Sequence, residues 1–282
     1  MTHPPAAPAD RARPAASRPD FVLVDFDGTL ASADVGNRFF RRFTPDAVRW
    51  DAVIADWMAG RITARQCLAL ECDLARAGHP EALAFVDGFE LAADAAAFVA
   101  AARSAGHDLL VASDGLTFYI ERLLARAGLD VPFTANRLRF EDGALTPEFA
   151  SAGPEVPLSG GRVARAAGDA SPGCGRCGNC KGAALRAARA SGRYRRLVAV
   201  GDGYSDRCAV AAADVVYAKD DLFEYCRARG VEARPFTALA EVARAEGWSP
   251  AGAAVSAAAG SAGPGPAPVC PAPVCPAPAE PL

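Results

Sequence analysis

The chain has 282 residues, of which 51% are hydrophobic and 22% charged, with a formal net charge of −3. That length allows one large domain or two modest ones. The mild acidity argues against general nucleic-acid binding, which needs a basic surface, and no apolar run reaches the ~20 residues that span a bilayer.

The opening stretch, MTHPPAAPADRARPAASRPD, has no apolar core of the kind a secretory signal carries. The end, from Ser249, is rich in Pro and Ala and holds a tandem VCPAP repeat around Cys270 and Cys275. Neither can bury enough apolar surface to offset its chain entropy, so 1–18 and 249–282 are expected to be disordered tails. FVLVDF (21–26) predicts a buried parallel strand. Residues 34–94 read as helical. Phe39, Phe40 and Phe43, then Val53, Ile54 and Trp57, then Leu68, Leu70 and Leu74 recur at near-helical spacing and read as core. A helix over 95–106 closes at Gly106, a second strand covers 107–113, and a helix over 118–128 stops at Gly128. RLRFEDGALTPEF (137–149) predicts a hairpin turning at Asp142-Gly143. A Gly/Pro-rich stretch around 153–178 follows and contains three close cysteines. Then come a helix at 181–192, a strand at 196–202, a helix starting at 205, and short strands at 214–219 and 232–236. Apolar strands alternating with helices define an α/β chain with a parallel, Rossmann-like sheet. The helical block interrupts that alternation. It is therefore expected as a small inserted cap (34–94) on a core made of 19–33 and 95–248.

In an open parallel sheet, ligands bind beyond the carboxyl ends of the strands. The first strand ends in Asp25-Phe26-Asp27-Gly28-Thr29, the second in Ser113-Asp114-Gly115. The strand at 196–202 ends in Gly201-Asp202-Gly203-Tyr204-Ser205-Asp206, and Lys181 opens the helix before it. Any one of these acids alone reads as a turn former or helix cap. Together, four acids at one edge repel unless a cation joins them, and hard oxygen donors suit Mg²⁺. A divalent ion with a lysine and a hydroxyl forms a receptor for a phosphoryl group. One carboxylate can then act as nucleophile and the second, two residues on, as general acid and base.

The ordered set DFDGT, Ser113, Lys181 and GDGYSD resembles the four signature motifs of the haloacid dehalogenase superfamily, and the resemblance covers 19–245. It implies a haloacid dehalogenase-type core with an α-helical cap, and Mg²⁺-dependent hydrolysis of a small phosphorylated metabolite through an aspartyl-phosphate. It assigns Asp25 as nucleophile and Asp27 as acid/base. It places Ser113, Asp114 and Lys181 on the phosphoryl group. The metal would be held by Asp25, the Asp27 main-chain carbonyl and Asp202, with Asp206 orienting the site. The acid at 27 favours a phosphatase over the superfamily's ion pumps. Within the superfamily the chain resembles the phosphoserine-phosphatase-like branch. Closer still are the methionine-salvage phosphatases acting on 2-hydroxy-3-keto-5-methylthiopentenyl-1-phosphate and the phosphoethanolamine/phosphocholine phosphatases. DFDGTLASAD matches the first group slightly better, whereas SDG and Cys208 lean toward the second. Asp34 lies where phosphoserine phosphatases place an acid that contacts the substrate amine; it reads equally as a helix N-cap. A catalytically idle phosphate-binding regulator on the same scaffold is the alternative of another class.

Cys174, Cys177 and Cys180 have the short spacing of soft-metal sites. They are one thiolate short of a closed Zn²⁺ site, and Cys208 is the fourth ligand expected. Reduced thiols are the other reading. A four-cysteine iron–sulfur run would want a cysteine where Ala184 stands. The expected setting is cytoplasmic, as a monomer or homodimer, with no membrane or nucleic-acid partner.

Overall fold

A computed structural model describes residues 18–249. The expectations for the two tails, with Cys270 and Cys275, therefore fall almost entirely outside the described residues. Nine strands form one sheet in the order β5-β6-β4-β3-β2-β1-β7-β8-β9. At its centre β1 (Phe21–Val24) lies parallel to β2 (Asp108–Leu116) and to β7 (Leu197–Gly201), with Phe21 level with Asp108 on one side and Leu197 on the other. All four residues of β1 are buried, as the uninterrupted FVLV run requires of a strand covered on both faces. β3 (Phe133–Glu141) continues the parallel set on one side. β8 (Val215–Ala218) and β9 (Arg234–Pro235) continue it on the other.

The predicted hairpin is present. β3 pairs antiparallel with β4 (Ala144–Ser151) across Asp142-Gly143, whose φ values of 49° and 80° are the positive pair a two-residue turn of this hand needs. The Gly/Pro-rich stretch is more ordered than its composition suggests. It supplies β5 (Val156–Pro157) and β6 (Val163–Ser171), the latter parallel to β4. β6 carries few large apolar residues, so no periodicity marked it.

Four helices lie between β1 and the helix preceding β2: α1 (Val35–Phe43), α2 (Ala47–Met58), α3 (Ala64–Leu74) and α4 (His79–Val86). Their starts are written locally. Asp34 caps α1 by accepting from Asn37 N–H, Asp46 caps α2 from Arg49 N–H, and Thr63 with Gln66 forms a capping box for α3. An isolated bridge between Ala31 and Leu91 closes the base of this segment. The remaining helices are α5 (Ala95–Ser104), α6 (Thr117–Arg126), α7 (Lys181–Ala190), α8 (Arg207–Val210), α9 (Asp220–Ala228) and α10 (Leu239–Ala245).

One apolar cluster runs from the sheet (Val22, Val24, Val111) through α6 (Ile120, Leu123) into α1 (Phe39, Phe40, Phe43). Phe39 meets Phe118 with ring centroids 5.2 Å apart. α3 packs on β4, and Arg65 near its start is buried with its guanidinium 3.9 Å from the Phe149 ring centroid. The helical segment is thus tied to the sheet on two sides, and the space it encloses lies over the ends of β1 and β2. Among the described residues, no helix is long and apolar enough to cross a membrane.

Candidate active site

The carboxyl ends of β1 and β7 bring three of the predicted acids, Asp25, Asp202 and Asp206, together. Asp25 follows β1 directly, and its N–H still bonds to Val200 O (2.9 Å), so the first acid is fixed by the sheet ladder. Its Oδ1 accepts from Phe26 N–H (2.7 Å) and pairs with Lys181 Nζ (2.7 Å). The chain then reverses in a tight loop, with Leu30 N–H donating to Asp25 O and Ala31 N–H to Phe26 O. Gly28, at φ +72°, sits where a β-carbon would overlap Asp202 Oδ2. Only glycine lets the loop come this close to the β7 end.

Lys181, the first residue of α7, is completely buried. It reaches Asp25 Oδ1, Asp206 Oδ1 (2.6 Å) and Ser205 Oγ (3.0 Å). Asp206 Oδ2 accepts from the N–H groups of Asp202 and Gly203 at 3.2 and 3.1 Å, which fixes the turn after β7. Asp202 Oδ1 accepts from Thr29 Oγ1 (2.6 Å). Hydrogen bonds thus engage one oxygen each of Asp25 and Asp202 and both oxygens of Asp206, leaving Asp25 Oδ2 and Asp202 Oδ2 open among the described residues.

Asp25, Asp202 and Asp206 place carboxylate oxygens within 4.8 Å of one another. Lys181 pairs with two of these acids, Asp25 and Asp206, while Asp202 has, among the described residues, only the Thr29 hydroxyl as a direct partner. Burial, then the charge of Asp206, pushes the Asp25 carboxyl well above its ordinary range, and the same two causes raise Asp202 to about 6. Burial alone would lower the Lys181 ammonium, but Asp206 and Asp25 outweigh it and hold it above its usual value. The set therefore has spare negative charge on hard oxygen donors, which is what a divalent oxophilic ion such as Mg²⁺ fits.

Asp27 turns away from that cluster. Its Oδ1 accepts from Val35 and Gly36 N–H at 2.9 and 3.2 Å, at the start of α1. Its Oδ2 accepts from Tyr119 Oη (2.6 Å) and Ser113 Oγ (3.1 Å). Burial raises its carboxyl, with the Tyr119 bond the largest opposing influence. Its side chain stands apart from the three-acid group.

Ser113 is buried. Asp114 lines the same cavity, but its Oδ1 accepts from Asn179 N–H (2.7 Å) and Asn136 Nδ2 (3.2 Å). It ties the end of β2 to the loop that delivers Lys181. Burial lifts it to about 6.

A cavity of about 130 Å³ opens between these residues and the helical segment. Asp34, Phe40, Ile54, Trp57, Leu68 and Glu71 line its far side. Asp34 caps α1 and also lines the cavity. Burial, then the charge of Asp27, raises it to about 7. Ile54 and Trp57, read from sequence as plain core, line this cavity, and the Trp57 ring lies 4.9 Å from Tyr204 of the GDGYSD turn. Sequence reasoning missed Tyr119 and Glu71 altogether. Glu71 is buried, accepts from Trp50 Nε1 (3.1 Å), and is raised to about 8 by burial. Both sit on apolar helical faces, and a polar atom within such a stripe was the available signal.

The arrangement matches a known family. Residues 22–211 match the model of haloacid dehalogenase-like hydrolases, and the chain belongs to that family. It is thus an enzyme of the hydrolase class on a haloacid dehalogenase-type α/β core. Among curated proteins it is similar to two called 2-hydroxy-3-keto-5-methylthiopentenyl-1-phosphate phosphatase. The protein from Brevibacillus brevis is 25% identical over 71% of this chain and 83% of that protein. That from Geobacillus kaustophilus is 28% identical over 78% and 92%. Among solved structures, one described as the phospho-aspartyl intermediate analogue of phosphoserine phosphatase superposes with a TM-score of 0.60 at 19% identity, covering 81% of this chain and 99% of that one. A probable phosphoserine phosphatase from Vibrio cholerae gives 0.53 at 20% identity, over 81% and 67%. At these identities the solved structures speak to the fold.

Proposed function

We propose that the chain is a Mg²⁺-dependent phosphatase of small phosphomonoesters working through an aspartyl-phosphate. One observation carries this reading. The buried Lys181 ammonium locks Asp25 Oδ1 and leaves Oδ2 without a hydrogen bond among the described residues, at the cavity that Asp25 lines with a second carboxyl, Asp27, held separately. Asp25, Asp202 and the Asp27 carbonyl would hold the ion, with Asp206 fixing the turn. Bound there, Mg²⁺ supplies charge neutralisation for the phosphoryl oxygens.

In this scheme Ser113 Oγ gives up its bond to Asp27, and Lys181 Nζ its bond to Ser205, to grip the phosphoryl group. Asp25 Oδ2 attacks phosphorus, and the bond to the leaving oxygen breaks. Asp27 gives that oxygen its proton, so the alcohol departs neutral. Asp27 then takes a proton from water as it attacks the aspartyl-phosphate, which restores Asp25 and releases phosphate. Residues 34–94 act as a cap on the core of 19–33 and 95–248. Contacts such as Trp57 with Tyr204 hold the cap down, exclude water during transfer, and select the leaving group.

For the substrate, the names of the two curated relatives support 2-hydroxy-3-keto-5-methylthiopentenyl-1-phosphate. A specific feature favours a second reading. The leaving-group end carries the Asp34 carboxyl beside Phe40 and Trp57, and an acid with aromatic faces suits an ammonium. Phosphoethanolamine, phosphocholine or phosphoserine would meet that surface. A panel of these four phosphomonoesters separates the readings by kcat/KM. The phosphatase reading itself requires Mg²⁺-dependent release of phosphate from p-nitrophenyl phosphate, abolished in Asp25→Asn with the fold intact. Phosphate binding without release would instead support an idle regulator on this scaffold.

A further inference from the structure

The phosphatase scheme leaves one cluster of chemically active side chains unused. Cys174, Cys177 and Cys180 bring their sulfurs within 4.8 Å of one another. Cys174 Sγ lies 3.5 Å from Cys177 Sγ, which lies 3.9 Å from Cys208 Sγ. Cys180 Sγ interacts with all three of the others. All four are free thiols. A disulfide needs ~2.05 Å between sulfurs. Four thiolates placed ~2.3 Å from one tetrahedral ion stand ~3.8 Å from one another. The Cys174–Cys177 and Cys177–Cys208 spacings, 3.5 and 3.9 Å, fall around the second value, with Cys208 at the edge of the three-sulfur group.

Independent features of the surroundings point the same way. Gly182 N–H donates to Cys208 Sγ (3.3 Å), a bond that favours a thiolate and orients it. The loop itself is held. Cys180 N–H donates to Ser151 Oγ (2.9 Å), and Ser151 N–H donates to Gly178 O (2.8 Å). Arg65 is only 1% exposed, and its N–H bonds to Arg176 O (3.0 Å) in this same loop. Its Nε and Nη1 donate to Pro154 O and Ser151 O, but its buried Nη2 has no hydrogen-bond partner among the described residues. Its charge interacts with Cys174 and Cys177. A divalent ion held by four thiolates carries a net double negative charge, and a buried guanidinium with an unused N–H beside two of the ligands is placed to offset it.

We propose that Cys174, Cys177, Cys180 and Cys208 form a structural site for one thiophilic divalent ion, best matched by Zn²⁺. Each thiol would release its proton to solvent on binding. The consequence lies in the sequence positions. Cys180 directly precedes Lys181, and Cys208 is two residues beyond Asp206. The ion would staple the loop that delivers the lysine to the helix behind the acid it pairs with. The proposal concerns the thiols alone and stands whether or not the phosphatase scheme holds.

The test uses the full chain purified under reductant without chelator. Elemental analysis should find one zinc per chain, and replacement by Co²⁺ should give tetrahedral d–d bands with thiolate-to-cobalt charge transfer. Cys177→Ser and Cys208→Ser should each weaken Zn²⁺ binding by about a hundredfold or more. Cys226→Ser, at a buried cysteine outside the cluster, should leave it unchanged. The cobalt spectrum of the unmutated chain decides the matter if a serine variant fails to fold. Absence of tight zinc, a cobalt spectrum without thiolate charge transfer, a Cys174–Cys177 disulfide in place of metal, or full zinc affinity in Cys208→Ser would each overturn the proposal.

Discussion

Glu71 offers a quantitative test of the cavity. Its carboxyl is buried between α2 and α3, and its ordinary value of 4.5 is raised to about 8. The folded chain therefore keeps this proton at neutral pH, while the unfolded chain gives it up above 4.5. The unfolded state binds fewer protons in that window, so stability falls as pH rises from about 4.5 to about 8 and levels off beyond. The whole gap corresponds to ~5 kcal/mol at 1.36 kcal/mol per unit. Because effective dielectric constants in proteins exceed the dry-interior value, about 1–3 kcal/mol is the expected size. Glu71→Gln removes the titration while its side-chain oxygen can still accept from Trp50 Nε1. Urea unfolding of both proteins between pH 4.5 and 8.5 should show near-equal stability at the acid end. At the basic end the Gln variant should be more stable by that amount. Identical pH dependence in the two proteins would refute the claim that this carboxyl is held neutral by burial.

Asp34→Asn should cut kcat/KM for phosphoethanolamine or phosphocholine by about tenfold or more, since a hydrogen bond to a charged group is worth ~1.5–3 kcal/mol. It should spare neutral phosphomonoesters; equal loss on both classes leaves Asp34 as a helix cap only. Tyr119→Phe removes the 2.6 Å bond that aims Asp27. It should slow alkyl phosphates, which need a proton on the leaving oxygen, by about tenfold. It should barely affect p-nitrophenyl phosphate, and a uniform loss across leaving groups would remove the positioning role.

The sequence was most informative where chemistry and local rules coincide. The apolar FVLV run, the Asp142-Gly143 turn and the Asp34 cap are each decided within a few residues, and each stands in the structure. The motif acids were legible for the same reason, because strand ends in a parallel sheet converge by topology. What escaped depends on packing between distant segments. The stripe containing Trp57 shows which face of α2 turns inward but not that a cavity waits there. Tyr119 and Glu71 look like misplaced polar atoms on apolar faces until Asp27 and Trp50 are brought to them. Asp114 was grouped with the phosphate ligands by position, yet Asn179 and Asn136, both remote in sequence, hold its carboxyl. β6 was hidden by its small polar residues, since its place in the sheet comes from pairing with β4.

The most direct test of the central claim is to trap the enzyme during turnover. The unmutated chain would be mixed with labelled phosphomonoester and Mg²⁺, quenched in acid, reduced with borohydride and mapped by mass spectrometry. An acyl phosphate on Asp25 is the expected result, seen as a reduced side chain at that position and absent without substrate. Steady turnover with no adduct, or an adduct on Asp27 or Asp202 instead, would contradict it.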